Sequence, residues 1–171
     1  MKIFLIGMMG SGKSYWAQLL AKKLKTNAYD LDELVESLEE RTISAIFAEE
    51  GEAYFRKEES KLLRWFAEKN SFVLATGGGT PCFNKNINWM NEQGTTVWLN
   101  EPIPVLAERL KKEKDHRPLI KDLSDDELHI FLEKKLAERI EHYQQAKYAI
   151  VPSAISEKEF INLIKKEEKK N

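Results

Sequence analysis

Apolar positions along the chain follow two alternating rhythms. Short, predominantly apolar runs at residues 3–6, 28–31, 72–76, 95–99 and 148–151 have the length and β-branched or aromatic content of buried strands. Between them the apolar positions recur with helical spacing. Ala17, Leu20, Ala21 and Leu24 fall at i, i+3, i+4 and i+7 after the first run, and Ile103, Leu106, Ala107 and Leu110 repeat that spacing after the fourth. Phe55, Leu62, Trp65 and Phe66 are assigned to one helix face before the third run. Two late helices open with capping boxes, Ser124-Asp125-Asp126-Glu127 and Ser156-Glu157-Lys158-Glu159, in which hydroxyl and carboxylate each satisfy an orphan amide. Strands alternating with helices predict an α/β protein: a parallel sheet covered on both faces and joined by right-handed crossovers. Ligands in such a sheet bind beyond the carboxyl ends of the strands, so the chemistry is to be sought just after each apolar run.

Composition narrows the function classes. The chain has 171 residues, 42% of them hydrophobic, which suits one well-buried domain covering 1–171. No internal repeat or Pro/Gly/Ser-rich linker divides it, and the charged tail 165–170 reads as a frayed helix end. The 27 Lys and Arg are balanced by 28 Asp and Glu, a net charge of -1, which argues against a nucleic-acid binder. The single cysteine, Cys82, cannot form an internal disulfide and fits a reducing compartment. No apolar stretch reaches membrane-spanning length. Lys2 followed by Ile3-Phe4-Leu5-Ile6-Gly7 resembles the opening of a secretory leader, but the run soon meets Lys13 and lacks a small-residue cleavage site. A cytoplasmic protein is expected, with no membrane or nucleic-acid partner.

After the first strand, Gly7-Met8-Met9-Gly10-Ser11-Gly12-Lys13-Ser14 matches G-x-x-x-x-G-K-[ST] and is followed by an amphipathic helix, the context this motif requires. Its glycines let backbone amides turn toward phosphate oxygens, and the helix start adds its positive end. Lys13 would reach the terminal phosphates and the Ser14 hydroxyl would ligate Mg²⁺. The plain alternative is a glycine-rich turn that binds nothing. The motif gives nucleotide binding and leaves the acceptor open.

Asp30 and Asp32 follow the second strand, and if the strand extends that far they point to one side. Asp30, nearer the sheet, suits a metal shell; Asp32 suits the attacking hydroxyl, unless it merely caps the helix running through Glu33 to Glu39. Arg56 borders an apolar helix face with Glu59 at i+3 to hold it, or else forms an ordinary surface ion pair. Gly77-Gly78-Gly79 ends the third strand, where lost backbone entropy makes sense if a ligand must approach the main chain; otherwise it is a loose loop before Pro81. Asp115-His116-Arg117-Pro118-Leu119-Ile120 lies between two helices and reads as a cover for bound nucleotide, with Arg117 stabilising phosphoryl charge, or as a plain connection. Arg139 and Tyr143 stand at i, i+4 on the long helix beyond it, placing a guanidinium that can clamp a carboxylate or simply be solvated. His116, His129 and His142 lack metal-ligand spacing, Cys82 has no visible base partner, and Trp16, Trp65, Trp89 and Trp98 read as core or boundary packing.

The order glycine-rich cradle, Asp-x-Asp, Phe-Arg-x-x-Glu, Gly-Gly-Gly, Arg-Pro-Leu and Arg-x-x-x-Tyr resembles the shikimate kinase family over about residues 1–165. The resemblance implies a three-layer α/β/α P-loop NTPase fold with a five-stranded parallel sheet in order 2-3-1-4-5, a helical acceptor-binding region near 31–62 and a lid near 112–124. It implies phosphoryl transfer from ATP to the 3-hydroxyl of shikimate, with Mg²⁺, in chorismate and aromatic amino-acid biosynthesis, by a monomer. Catalytic roles would fall to Lys13, Asp32 and Arg117, and ATP contacts to Gly10, Ser11, Gly12, Lys13, Ser14, Tyr15, Arg117 and Pro152. Ser14 and Asp30 would serve the metal, and Asp32, Arg56, Gly77, Gly78, Gly79 and Arg139 would hold shikimate. Two departures from the family pattern are Val151-Pro152-Ser153-Ala154, where an aspartate followed by threonine or serine is common, and Tyr15-Trp16-Ala17-Gln18 in place of small residues and arginine. The first bears on adenine contacts and the second on packing. Rival readings are a gluconate or nucleoside monophosphate kinase of the same fold, or a non-catalytic relic; a flexible neutral sugar chain or a nucleotide leaves Asp32, Arg56 and Arg139 without a joint purpose.

Overall fold

The structure, a computed structural model, describes residues 1–114 and 117–168. Five strands form one parallel sheet in the order β2-β3-β1-β4-β5. They are β1 (Lys2–Ile6), β2 (Ala28–Asp30), β3 (Phe72–Ala75), β4 (Thr95–Leu99) and β5 (Tyr148–Ile150). Eight helices accompany them: α1 (Lys13–Leu24), α2 (Leu31–Glu39), α3 (Ile43–Glu49), α4 (Glu52–Trp65), α5 (Asn86–Gln93), α6 (Ile103–Lys111), α7 (Asp125–Tyr143) and α8 (Glu157–Glu168). β1 is central, with Leu5 opposite Ala75 of β3 on one side and Val97 of β4 on the other.

The strands read as nearly unbroken apolar runs because both faces are covered. Successive side chains point to opposite faces. Phe4 and Ile6 therefore enter the core beneath α5, α6 and α7, with Leu74, Trp98, Leu106 and Leu132. Ile3 and Leu5 enter the opposite core, with Ala17 and Leu20 of α1 and Phe160 and Ile164 of α8. Fully buried side chains of this kind each contribute about 1.5–3 kcal/mol. A smaller core of Val35, Ile46 and Phe55 ties α2, α3 and α4 together outside the sheet, in the region expected near 31–62.

Both capping boxes form. Ser124 and Glu127 exchange hydrogen bonds at the start of α7, and Ser156 and Glu159 do so at the start of α8. Two expectations are corrected. β2 stops at Asp30, and α2 begins at the next residue, so Asp30 and Asp32 are not alternate residues of one strand. Asp30, in extended conformation, is the cap: its carboxylate accepts the Asp32 amide at 3.1 Å, which leaves the Asp32 side chain free. On α4 the inward face carries Phe55, Glu59, Ser60 and Leu63, and Trp65 is half exposed. The polar pair Glu59 and Ser60 disguises that face in the sequence, and Trp65 packs edgewise on Phe66 and beneath the Lys69 ammonium. Asp115, His116 and the tail residues Lys169 and Lys170, all named in the sequence reading, lie outside the described residues. Among the described residues no helix is long and apolar enough to cross a membrane.

Candidate active site

The end of β1 turns into a loop whose glycines take conformations closed to other residues: φ is +142° at Gly7, +78° at Gly10 and +87° at Gly12. A Cβ at Gly7 would lie 2.7 Å from the Leu99 carbonyl oxygen, so strand β4 itself forbids one. Gly12 caps α1 without a side-chain hydrogen bond, and the first turn carries no acidic residue, which leaves the orphan amides and the positive helix end available to an anion. The Lys13 ammonium folds back over the loop and donates to the Gly7 and Met8 carbonyls at 2.9 and 2.8 Å. Ser14 Oγ donates to Asp30 Oδ2 at 2.5 Å, joining the start of α1 to the end of β2.

A cleft of about 1040 Å³ opens over this loop at the carboxyl ends of the strands. Gly10, Gly12, Lys13, Ser14 and Tyr15 line it from the cradle side. Asp30, Asp32, Gly78, Arg117 and Pro152 line it from the others. Ser11 does not: it is fully buried, and its hydroxyl makes no hydrogen bond among the described residues. Arg117 is paired with Glu113, which accepts from Nε and Nη2 at 3.0 and 2.8 Å.

Arg56 and Arg139 do not line the cleft itself but meet it at the glycine loop. Each of the three glycines has a different charged side chain as its nearest neighbour. A methyl group at Gly77 would lie 2.6 Å from Asp32 Oδ1, one at Gly78 would lie 2.9 Å from Arg139 Nη1, and one at Gly79 would collide with the Arg56 guanidinium. The Tyr143 hydroxyl donates to the Gly78 carbonyl at 2.6 Å, which fixes the loop to α7 beside Arg139. Arg56 is no surface ion pair. Its side chain is 11% exposed, Nη1 donates to the wholly buried Glu59 at 3.0 Å, and its plane lies 4.4 Å from the Phe83 ring centroid. Glu59 in turn accepts the Thr80 hydroxyl at 2.6 Å, so one buried carboxylate locks both Arg56 and the turn that follows the glycines.

The electrostatics follow from this crowding. Desolvation, then the charges of Asp30 and Glu59, push Asp32 from its usual 3.8 up to about 6, against the opposing pull of Lys13 and Arg56. Desolvation lowers Lys13 from 10.5 to about 8; Asp32 and Asp30 resist that change, while Arg117 and Arg139 favour it. Shifted acids and bases of this kind cluster at functional sites.

The sequence reading passed over two participants, Arg109 and Glu101. Arg109 lines the cleft and donates to the Gly10 carbonyl at 3.1 Å. Buried Glu101 holds Arg109; Glu59 holds Arg56 as the i+3 spacing suggested, and accepts from Thr80 as well. Arg109 on α6 reads as a solvated helix residue and Glu101 as a loop charge until segments distant in sequence are seen to meet them, so local sequence gave no signal for either.

A parallel sheet in this order, with an anion cradle at the tip of its central strand, defines a P-loop nucleotide-binding protein. The acid-and-arginine pocket joined to that cradle narrows the class to the small-molecule kinases. The sequence profile of the family described as shikimate kinase matches residues 9–168. The chain belongs to the shikimate kinase family. It is 44% identical to the shikimate kinase of Azobacteroides pseudotrichonymphae over 85% of this chain and 86% of that one. The crystal structure of shikimate kinase from Bacteroides thetaiotaomicron superposes with a TM-score of 0.88 at 36% identity, covering 98% of this chain and 96% of that one. Shikimate kinase from Acinetobacter baumannii in complex with shikimate superposes with a TM-score of 0.80 at 30% identity, covering 98% and 90%. The chain is accordingly an ATP-dependent phosphotransferase of this family.

Proposed function

We propose that the chain transfers the γ-phosphoryl group of ATP to the 3-hydroxyl of shikimate, giving shikimate 3-phosphate and ADP, with its own residues in the following roles. The cradle amides and Lys13 bind the nucleotide phosphates, and Arg117, released from Glu113, neutralises charge on the group in transfer. Arg56 and Arg139 grip the acceptor carboxylate from α4 and α7, each through the fork geometry that suits a carboxylate. Asp32 lies between that clamp and Lys13, where it aligns the attacking hydroxyl and takes its proton. With its pKa near 6 it is ionised at neutral pH, yet basic enough to accept.

A divalent cation fits the cradle. Ser14 Oγ and Asp30 Oδ2 already touch, both are hard oxygen donors, and no group of three or more His, Cys, Asp or Glu competes among the described residues. Ser14 and Asp30 would hold Mg²⁺, which when bound neutralises charge between the nucleotide phosphates. Residues 31–62 form the acceptor-binding region and residues 112–124 the cover over the nucleotide. The lone cysteine suits a cytoplasmic enzyme.

The observation that carries this reading is the glycine loop, which brings Asp32, Arg139 and Arg56 to three consecutive positions beside the cradle. A nucleoside monophosphate offers no carboxylate to such a clamp; gluconate does, so the choice between the two acids falls to the assay. The test is ADP release by the purified protein across shikimate, gluconate and nucleoside monophosphates. Turnover with shikimate alone is expected, and background rates with shikimate would refute it.

A further inference from the structure

The nucleotide cleft is walled at one end by two segments far apart in sequence, α6 with Arg109 and the turn Pro152–Ala154 after β5. Between them lies a carboxylate that the phosphoryl-transfer chemistry does not use. Glu101 follows β4 and sits with its side chain wholly shielded from solvent. Each of its oxygens has one partner. Oε1 accepts from Arg109 Nη2 at 2.8 Å, and Oε2 accepts the Ser153 hydroxyl at 2.7 Å. The backbone reinforces the junction, because the Asn100 amide donates to the Ile150 carbonyl at 2.8 Å and carries the β4–β5 ladder up to it.

The consequence for Arg109 is geometric. Nη2 is committed to Glu101 and Nη1 to the Gly10 carbonyl, so two edges of the planar guanidinium are fixed and its face cannot rotate. The same carboxylate fastens Ser153 and thereby sets Pro152, which lines the cleft. One buried charge thus spaces a flat cation and a prolyl ring, two surfaces that suit a flat heteroaromatic base. Toward the cradle, Arg109 bonds a carbonyl, that of Gly10, and takes no phosphate-binding amide.

We propose that Glu101 is a positioning residue for the nucleoside half of the phosphoryl donor: it holds Arg109 and the Pro152 turn at the separation that admits the base. This rests on the reading that the nucleotide occupies the cleft beside the cradle. Glu101 touches neither substrate and acts through its two partners.

The test compares ADP with inorganic tripolyphosphate, which has phosphates and no base, by calorimetric titration of wild type, Glu101→Gln and Ser153→Ala. Glutamine keeps the volume but removes the charge that fixes Arg109. Glu101→Gln is expected to weaken ADP binding about tenfold or more, as loss of a charged hydrogen bond should, with tripolyphosphate affinity changed by less than about threefold. In steady state its ATP KM rises by the same factor, while kcat and the shikimate KM stay within about twofold. Ser153→Ala, which leaves no buried charge unpaired, weakens ADP by about threefold. Equal losses for ADP and tripolyphosphate would mark a merely structural carboxylate and overturn the proposal, as would wild-type ADP affinity in Glu101→Gln. Should Glu101→Gln fail to fold, Ser153→Ala decides alone, and unchanged ADP binding overturns the proposal. A wild type that binds inorganic pyrophosphate, the baseless counterpart of ADP, as tightly as ADP would instead refute the nucleotide placement on which the proposal stands.

Discussion

Replacing Gly79 with alanine should damage the acceptor clamp and little else. Gly79 has φ −90° and ψ −15°, a conformation open to any residue, so alanine adds no backbone strain. The added methyl group would lie 2.8 Å from Arg56 Cζ and 3.0 Å from Nη1, and closer still to Nη2. A free arginine would swing away at little cost. Arg56 is held by Glu59 and Glu52 along its edges and by Phe55 and Phe83 at its faces, so retreat removes it from its place facing Gly79. Losing one charged hydrogen bond to the acceptor carboxylate costs about 1.5–3 kcal/mol, which raises the shikimate KM by about tenfold to 150-fold. The ATP KM should not move, since Gly79 does not line the nucleotide cleft. Gly77→Ala is the matched control. Its methyl group presses hardest on Asp32, at 2.6 Å, and less on Glu59, at 3.1 Å, so it should lower kcat by a larger factor than it raises the shikimate KM. The assay is steady-state ADP release with each substrate varied in turn. A Gly79→Ala enzyme with wild-type shikimate KM, or two variants with the same kinetic signature, would refute the division of labour along the loop.

The pH dependence of kcat/KM for ATP should be bell-shaped, with an acid limb near 6 from Asp32 and an alkaline limb near 8 from Lys13; a flat profile across that range would contradict both assignments. Asp32→Asn should lower turnover by about 10²–10⁴ while leaving ADP affinity within a few fold, measured by titration. The same variant should be more stable than wild type. Folding lifts the Asp32 pKa from 3.8 to about 6, so its ionised form opposes folding, a penalty absent below about pH 4 and complete above about pH 6, worth about 3 kcal/mol at full extent. Tm of Asp32→Asn should therefore exceed that of wild type at about pH 8, with the gap closing as pH falls toward about 4; equal Tm at the higher pH would contradict the buried-charge account.

All five strands and the covered parallel sheet could be read from the chain because their signal is local: runs of apolar residues alternating with helical spacing. The cradle was equally plain, since its spacing is set by the phosphate it encloses. Asp32, Arg56 and Arg139 were visible only as a set, in an order that resembles a family, because each alone passes for a cap or a solvated charge. Asp30 shows the converse error. Capping was weighed only for Asp32, two residues on, as the alternative to its chemistry, since either aspartate can precede a helix and only the backbone shows where β2 stops. Arg109 and Glu101 escaped notice for a different reason. Arg109 finds Gly10 across 99 residues, and Glu101 finds Ser153 across 52, distances over which periodicity carries no information. Trp65 was placed inward because apolar type stood in for burial, whereas Glu59 earns its buried place on α4 by satisfying Arg56 and Thr80 together.

The account stands or falls on whether one anionic ring bridges the two arginines while its hydroxyl faces Asp32. A crystal structure of the protein with shikimate and a non-hydrolysable ATP analogue measures this directly. The expected result is a carboxylate bonded to both Arg56 and Arg139, with the 3-hydroxyl between Asp32 and the terminal phosphate. Shikimate bound with its carboxylate turned from either arginine, or with a different hydroxyl against Asp32, would contradict it.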